Sequence, residues 1–258
     1  MAEAVSSSMN IKSLQLETLR VVQPNRDAVA SNNVVGFDSR DKRSRPFSLM
    51  RTQLAKRLVE EKIRLVGVTS ASPAAGKSFL AVNLAASLSR VLKVPTFLVD
   101  LDLRRGCVAE ELGIEFEAGV SDYLLGEMES LHEVGLHIDG TKLAVFPTHT
   151  VSMDSAEAIA SGRFDTLVET MRKHTGEAVV IFDLPPVFAN DDAVLSTRAL
   201  DGYIMVVDSG RTSRRQLADA MEMLNPVPCL GTVLNRYAGG MLDSYGYGSA
   251  NYDSYYSE

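Results

Sequence analysis

The sequence predicts a doubly wound α/β domain on a mostly parallel sheet. Five runs, residues 63–69, 96–101, 178–183, 203–208 and 229–235, are apolar at nearly every core position, as strands covered on both faces must be. Helical patterns alternate with them, the arrangement that joins parallel strands by crossovers. A Gly-Lys-Ser loop, Asp100, Asp183 and Asn235 fall at the carboxyl ends of these runs, where open α/β sheets bind ligands.

Taken in order, residues 1–45 mix Ser, Asn and charges around short apolar pieces such as Val34-Val35, and are expected to form a flexible N-terminal arm. Pro46 suits the first turn of a helix. Phe47, Leu49, Met50, Leu54, Leu58 and Val59 then follow a helical period, with Arg51, Lys56 and Arg57 on the polar face. Further helices are expected at 77–91, 156–173, 193–200 and 213–224, so residues 46–236 form the folded domain. Beyond Arg236 the composition changes abruptly. Residues 237–258 are rich in Gly, Ser, Asp and Tyr, contain no basic residue and have too little aliphatic content for a core, which predicts a disordered, Tyr-rich tail.

The chain of 258 residues carries a net charge of −7, which argues against broad nucleic-acid binding. Cys107 and Cys229 show neither C-x-x-C spacing nor a disulfide framework, and read as buried thiols in a reducing compartment. No apolar run approaches the ~18 residues of a membrane span, and the N-terminus has no secretory apolar region. The expected location is the cytoplasm. The basic residues 40–45 read as a solvated linker, and Arg211, Arg214 and Arg215, which begin a helical stretch, are assigned no site.

Three stretches carry chemistry. Ala71-Ser-Pro-Ala-Ala-Gly-Lys-Ser78 follows a buried strand and opens a helix, matching the phosphate-loop pattern with Ala71 in place of its first Gly. Pro73, Ala74, Ala75, Gly76, Lys77, Ser78 and Phe79 are therefore nucleotide-binding candidates. Backbone N–H groups would wrap a phosphate in the field of the helix, Lys77 would reach the β- and γ-phosphates, and the Ser78 hydroxyl would bind Mg²⁺. In the second stretch, Asp100 and Asp102 lie two apart on extended chain and point the same way, so they can share a Mg²⁺-phosphate site. Arg104 follows, placed to stabilise charge on a transferred phosphoryl group. The third is the apolar run ending at Asp183, a second metal-organising carboxylate, followed by Leu184-Pro-Pro186.

Together with the terminal tyrosines, Ala71-Ser-Pro-Ala-Ala-Gly-Lys-Ser78, Val99-Asp-Leu-Asp-Leu-Arg104 and Ile181-Phe-Asp-Leu-Pro-Pro186 resemble the bacterial P-loop tyrosine kinases. These are cytoplasmic autokinases of capsule and exopolysaccharide systems, related in fold to MinD/ParA-type ATPases. Gly119-Val-Ser-Asp-Tyr-Leu-Leu-Gly126 and Val233-Leu-Asn235 are smaller matches, and the resemblance runs from about Arg45 to the C-terminus. It implies that Lys77 contacts the transferred phosphate, and that Ser78 and Asp183 organise Mg²⁺ with Asp102 in the metal shell. It further implies that Asp100 assists deprotonation of an incoming tyrosine, Arg104 stabilises developing charge and Asn235 touches the adenine. ATP and Mg²⁺ are the implied cofactors. Tyrosine's ordinary pKa of about 10 makes a carboxylate acceptor useful at neutral pH.

The implied phosphorylation sites are Tyr245, Tyr247, Tyr252, Tyr255 and Tyr256, all within the last fourteen residues. Transfer between subunits is expected, because a tail starting near Asn235 does not easily reach its own catalytic loop. The resemblance also implies self-association, a membrane chain-length (co-polymerase) adaptor that recruits the chain to the inner face of the plasma membrane, and a cognate tyrosine phosphatase. The family's E-x-x-R-x-x-R subunit-joining helix is only partly present: Arg45 and Ser48 stand where Glu and Arg would be, and only Arg51 matches. Two alternatives are a MinD/ParA-like ATPase without kinase activity and a non-catalytic ATP-dependent scaffold. The former usually has an extra Lys early in the loop, where this chain has Ser72.

Overall fold

The computed structural model describes residues 14–151, 155–173 and 175–237. Residues 1–13 and the tail from 238, with Tyr245, Tyr247, Tyr252, Tyr255 and Tyr256, lie outside the described residues. The strands are β1 (Arg20–Val22), β2 (Leu65–Ser70), β3 (Thr96–Asp100), β4 (Leu136–Ile138), β5 (Leu143–Phe146), β6 (Val179–Asp183), β7 (Gly202–Asp208) and β8 (Cys229–Asn235). The helices are α1 (Arg26–Ser31), α2 (Arg45–Glu60), α3 (Lys77–Val91), α4 (Val108–Leu112), α5 (Val120–Leu125), α6 (Leu131–Val134), α7 (Ser155–Ile159), α8 (Gly162–Lys173), α9 (Asp192–Thr197) and α10 (Arg214–Met223).

All eight strands form one sheet in the order β1-β4-β5-β3-β6-β2-β7-β8. Every neighbouring pair is parallel except β4 with β5. The five expected strands are all present, and β5, β3, β6, β2, β7 and β8 run the same way. Side chains alternate between the two faces, as the pleat requires. In β2 and β3, Val66, Val68 and Leu98 pack on the α3 side, whereas Leu65, Phe97 and Val99 pack with Phe164, Leu167 and Met171 of α8. A third cluster joins Tyr203 and Met205 of β7 to Ala220 and Leu224 from the α10 region. Helix α3 is buried along almost its whole length because the sheet covers one side and α2 the other.

The flexible arm expected over residues 1–45 is corrected by the structure, since its described part is folded. Leu14, Leu16, Leu19, Val34 and Val35 are buried, and β1 extends the sheet beside β4. The cause lies on α3. Buried Asn83 accepts the N–H groups of Val35 (2.8 Å) and Gly36 (2.9 Å), and its amide donates to Phe79 O and Asn33 O. Gly36 runs so close to α3 that a Cβ there would lie 2.2 Å from Asn83 O. Arg90 adds a hydrogen bond to Gly36 O. Two smaller differences follow from local chemistry. The single helix expected at 156–173 is divided into α7 and α8 around Ser161, whose backbone and side-chain oxygens both accept the Phe164 N–H. The elements between Val108 and Phe146 are three to six residues each, too short to show a period.

Candidate active site

The loop after β2 is shaped by two left-handed residues, Ala74 (φ 59°) and Gly76 (φ 90°), before α3 starts at Lys77. Gly76 is required twice over. Its backbone angle disfavours other residues, and a Cβ would lie 2.2 Å from Asn235 Nδ2. Ala71, by contrast, is not left-handed, and its buried methyl packs with Val187 and Ala193, so the family's Gly is not needed there. Pro73 and Ala74 form the exposed crest of the loop, whereas Ala75 is buried. The loop is tied to the one after β6: Thr69 Oγ1 donates to Pro185 O (2.7 Å), and Val187 and Phe188 N–H donate to Ser70 O and Ala71 O.

The parallel register brings the strand ends together, with Asp100 directly opposite Asp183 on neighbouring β3 and β6. Lys77 projects from the first turn of α3 into this corner. Its Nζ lies 2.7 Å from Asp102 Oδ2 and 3.8 Å from Asp183 Oδ1, and it donates to Ser78 Oγ at 3.1 Å. Burial alone would lower the Lys77 pKa; the carboxylates of Asp183, Asp102 and Asp100 outweigh it and raise the pKa. Asp100 accepts the N–H groups of Asp102 and Val108, both at 3.1 Å. Burial, with Asp183 alongside, holds the Asp100 pKa well above the usual carboxylate range.

Asp183 is fully buried, and neither of its oxygens has a hydrogen-bond partner. Burial raises its pKa to about 6, against the opposing pull of Lys77. Two orphaned carboxylate oxygens beside a hydroxyl on Ser78 are a hard-oxygen donor set, which fits Mg²⁺. Among the described residues no group of three or more His, Cys, Asp and Glu forms a closed metal cage. Mg²⁺ usually takes one or two protein oxygens, and water and substrate phosphates complete its shell.

Lys77, Ser78, Asp100, Asp102 and Asp183 are thus brought together as expected from sequence. Arg104 points elsewhere: its Nε donates to Ser155 Oγ (2.9 Å) and lies 3.7 Å from Asp192 Oδ2. Phe79 packs edge-on against Phe47 rather than opening to the loop. Asn235 reaches the loop, where Nδ2 donates to Ala75 O at 2.8 Å. Arg51 is tucked against α3, donating to Ser87 Oγ.

Sequence reasoning missed four residues at this end of the sheet. Asp192 is fully buried under Arg104. Asp208 and Arg236 form an ion pair of 2.8 Å beside the loop. Cys107, a free and half-buried thiol, sits near Ser78; burial pushes its pKa up to about 12. Only Asp208 had a legible signal, since it ends an apolar strand just as Asp183 does.

No protein-family model matches the chain. It is 28% identical over 234 residues to tyrosine-protein kinase YwqD of Bacillus subtilis (strain 168), covering 88% of this chain and 95% of that protein. The kinase domain of Escherichia coli tyrosine kinase ETK has a TM-score of 0.71 at 27% identity, covering 83% of this chain and 84% of that one. Two more distant structures show the fold alone. A ParA family ATPase from Chlorobium tepidum TLS has a TM-score of 0.57 at 20% identity, covering 69% and 75% of the two chains. Cobyrinic acid a,c-diamide synthase from Mycobacterium smegmatis, with bound ATP analog and magnesium, has a TM-score of 0.52 at 24% identity, covering 68% and 78%.

Proposed function

We propose that this chain, which belongs to the bacterial P-loop tyrosine kinases, transfers the γ-phosphoryl group of Mg·ATP to the tyrosines near its own C-terminus. The acceptors are Tyr245, Tyr247, Tyr252, Tyr255 and Tyr256, reached from a neighbouring subunit. The observation that carries this reading is the strand-end corner, where one lysine faces three buried carboxylates and neither Asp183 oxygen accepts a well-formed hydrogen bond. Such an arrangement is costly unless a ligand completes it.

Each residue has a defined task. Loop N–H groups and the α3 N-terminus bind phosphate, and Lys77 exchanges its carboxylates for the γ-phosphate. Ser78, Asp102 and Asp183 would hold Mg²⁺, which when bound neutralises charge on the phosphate oxygens. Asp100 has a raised pKa suited to accepting the phenolic proton of the incoming tyrosine. Arg104, half-exposed and held by Ser155 and Asp192 in this structure, would have to turn toward the corner to stabilise charge on the transferred phosphoryl group. Each phosphate adds about −1.5 to −2 charge to an already acidic tail and repels it from acidic surfaces. That change would regulate polymerisation and export of an exopolysaccharide or capsule. Among the described residues no helix is long and apolar enough to cross a membrane. Recruitment from the cytoplasm by a membrane chain-length adaptor, self-association and reversal by a tyrosine phosphatase complete the reading.

The test mixes a Lys77→Met chain that keeps its tail with an active chain truncated after residue 237, in the presence of Mg·ATP. Phosphotyrosine on the intact tail is expected. An unlabelled tail, with the full-length wild type labelling itself normally, would rule out transfer between subunits.

A further inference from the structure

We propose that Arg236, which directly follows β8, is a positioning residue that sets the phosphate loop for nucleotide binding. Its Nη1 donates to Ala74 O at 2.6 Å and pairs with Asp208 Oδ2 at 2.8 Å. Its neighbour Asn235 donates to the next carbonyl along, Ala75 O. In a trans peptide the C=O and the following N–H point to opposite sides. Holding the carbonyls of Ala74 and Ala75 against β8 therefore turns the N–H groups of Ala75 and Gly76 the other way, toward the phosphate cradle.

The backbone supports a dedicated role. Four non-glycine residues among those described have positive φ, and two of them, Ala74 (59°) and Arg236 (56°), are joined by this hydrogen bond. Left-handed backbone at a residue with a side chain is strained, and persists where surrounding contacts over-determine it. Such contacts surround Arg236: Asn235 O accepts Ser209 N–H, and Thr212 Oγ1 accepts Asp208 N–H, fixing the carboxylate that aims Arg236. Asp208 is itself buried, and its pairing is shared with more distant Arg211 at 3.9 Å. Charge-assisted hydrogen bonds of this kind are roughly twice as strong as neutral ones.

The inference rests on nucleotide binding at the loop, and the experiment separates the two. Calorimetric titration with Mg²⁺ and a non-hydrolysable ATP analogue should show the Arg236→Ala chain binding at least tenfold more weakly than wild type. At saturating ATP its kcat should stay within about twofold, because the carboxylate corner is untouched. Arg236→Lys should fall between, since one ammonium cannot reproduce the guanidinium's planar fork. Asp208→Asn keeps the bond to Ala74 while losing the ion pair, and should weaken binding a fewfold. Equal binding by wild type and the Arg236→Ala chain would overturn the inference alone, as would a loss confined to kcat. No binding by wild type would overturn both it and the nucleotide reading.

Discussion

The two ends of the central strands treat charge in opposite ways. At the amino ends, Asp201 Oδ2 accepts the N–H groups of Arg64 (2.8 Å) and Leu65 (2.9 Å), and Oδ1 pairs with Arg172 at 2.6 Å. Arg64 in turn donates to the carbonyls of Ala178 and Arg172 and to Thr175 Oγ1. Each charged group there has partners within the molecule. At the carboxyl ends Lys77 alone faces Asp100, Asp102 and Asp183, and Asp183 accepts no well-formed hydrogen bond. The clusters sit at opposite ends of one sheet, with Arg64 and Asp201 just before β2 and β7, and Asp100 and Asp183 closing β3 and β6. Satisfied charge holds strands in register; unsatisfied charge waits for a ligand.

Three substitutions sharpen that contrast. Lys77→Met should have the largest effect, lowering tail phosphorylation by at least about 10³-fold, measured as phosphotyrosine formed per minute. Its loss also leaves three buried carboxylates without their cation, so stability should fall as well. Asp183→Asn should lower activity by about 10²-fold or more yet raise the melting temperature of the metal-free chain by several degrees. The pH dependence has a definite sign. The folded pKa of about 6 lies above the ordinary 3.8, so the fold prefers the protonated acid. Stability from this group is complete below about pH 4 and is lost as pH rises through 6. The advantage of Asp183→Asn over wild type should therefore be small near pH 4, grow between pH 4 and 6, and be full by pH 8; a constant or shrinking difference in thermal melts would contradict the cause assigned here.

The smallest functional effect should come from the other end of the strands. Asp201→Ala leaves two backbone N–H groups and Arg172 without their acceptor, a loss of about 1–3 kcal/mol. Urea denaturation should show that loss while kcat/KM stays within about twofold of wild type. A large fall in activity at unchanged stability would erase the distinction between the two ends.

The sequence made the centre of the molecule legible and the periphery opaque. Strands β2, β3, β6 and β7 are five to seven residues of nearly unbroken apolar character, and both faces of the sheet demand it, whereas β8 reads the same way but lies at the sheet edge and is largely exposed. Strand β4 is Leu-His-Ile and β1 is Arg-Val-Val, too short and too polar to announce pairing that the rest of the sheet imposes. The folding of residues 14–44 depends on a buried Asn in α3, forty-seven and forty-eight positions away from the amides it accepts. At the site, Lys77, Asp100, Asp102 and Asp183 were readable because strand ends converge by topology. Arg104 was readable as a residue but not as a direction, since Ser155 and Asp192 reach it only in the fold. The bond from Arg236 to Ala74 spans 162 positions and leaves no trace in either segment.

The most direct measurement incubates the full chain with Mg·ATP, maps phosphotyrosine along it and quantifies released phosphate in parallel. Phosphate on the tyrosines between 245 and 256, dependent on Lys77, is the predicted result. Steady phosphate release without any phosphotyrosine would make the chain an ATPase and contradict the account.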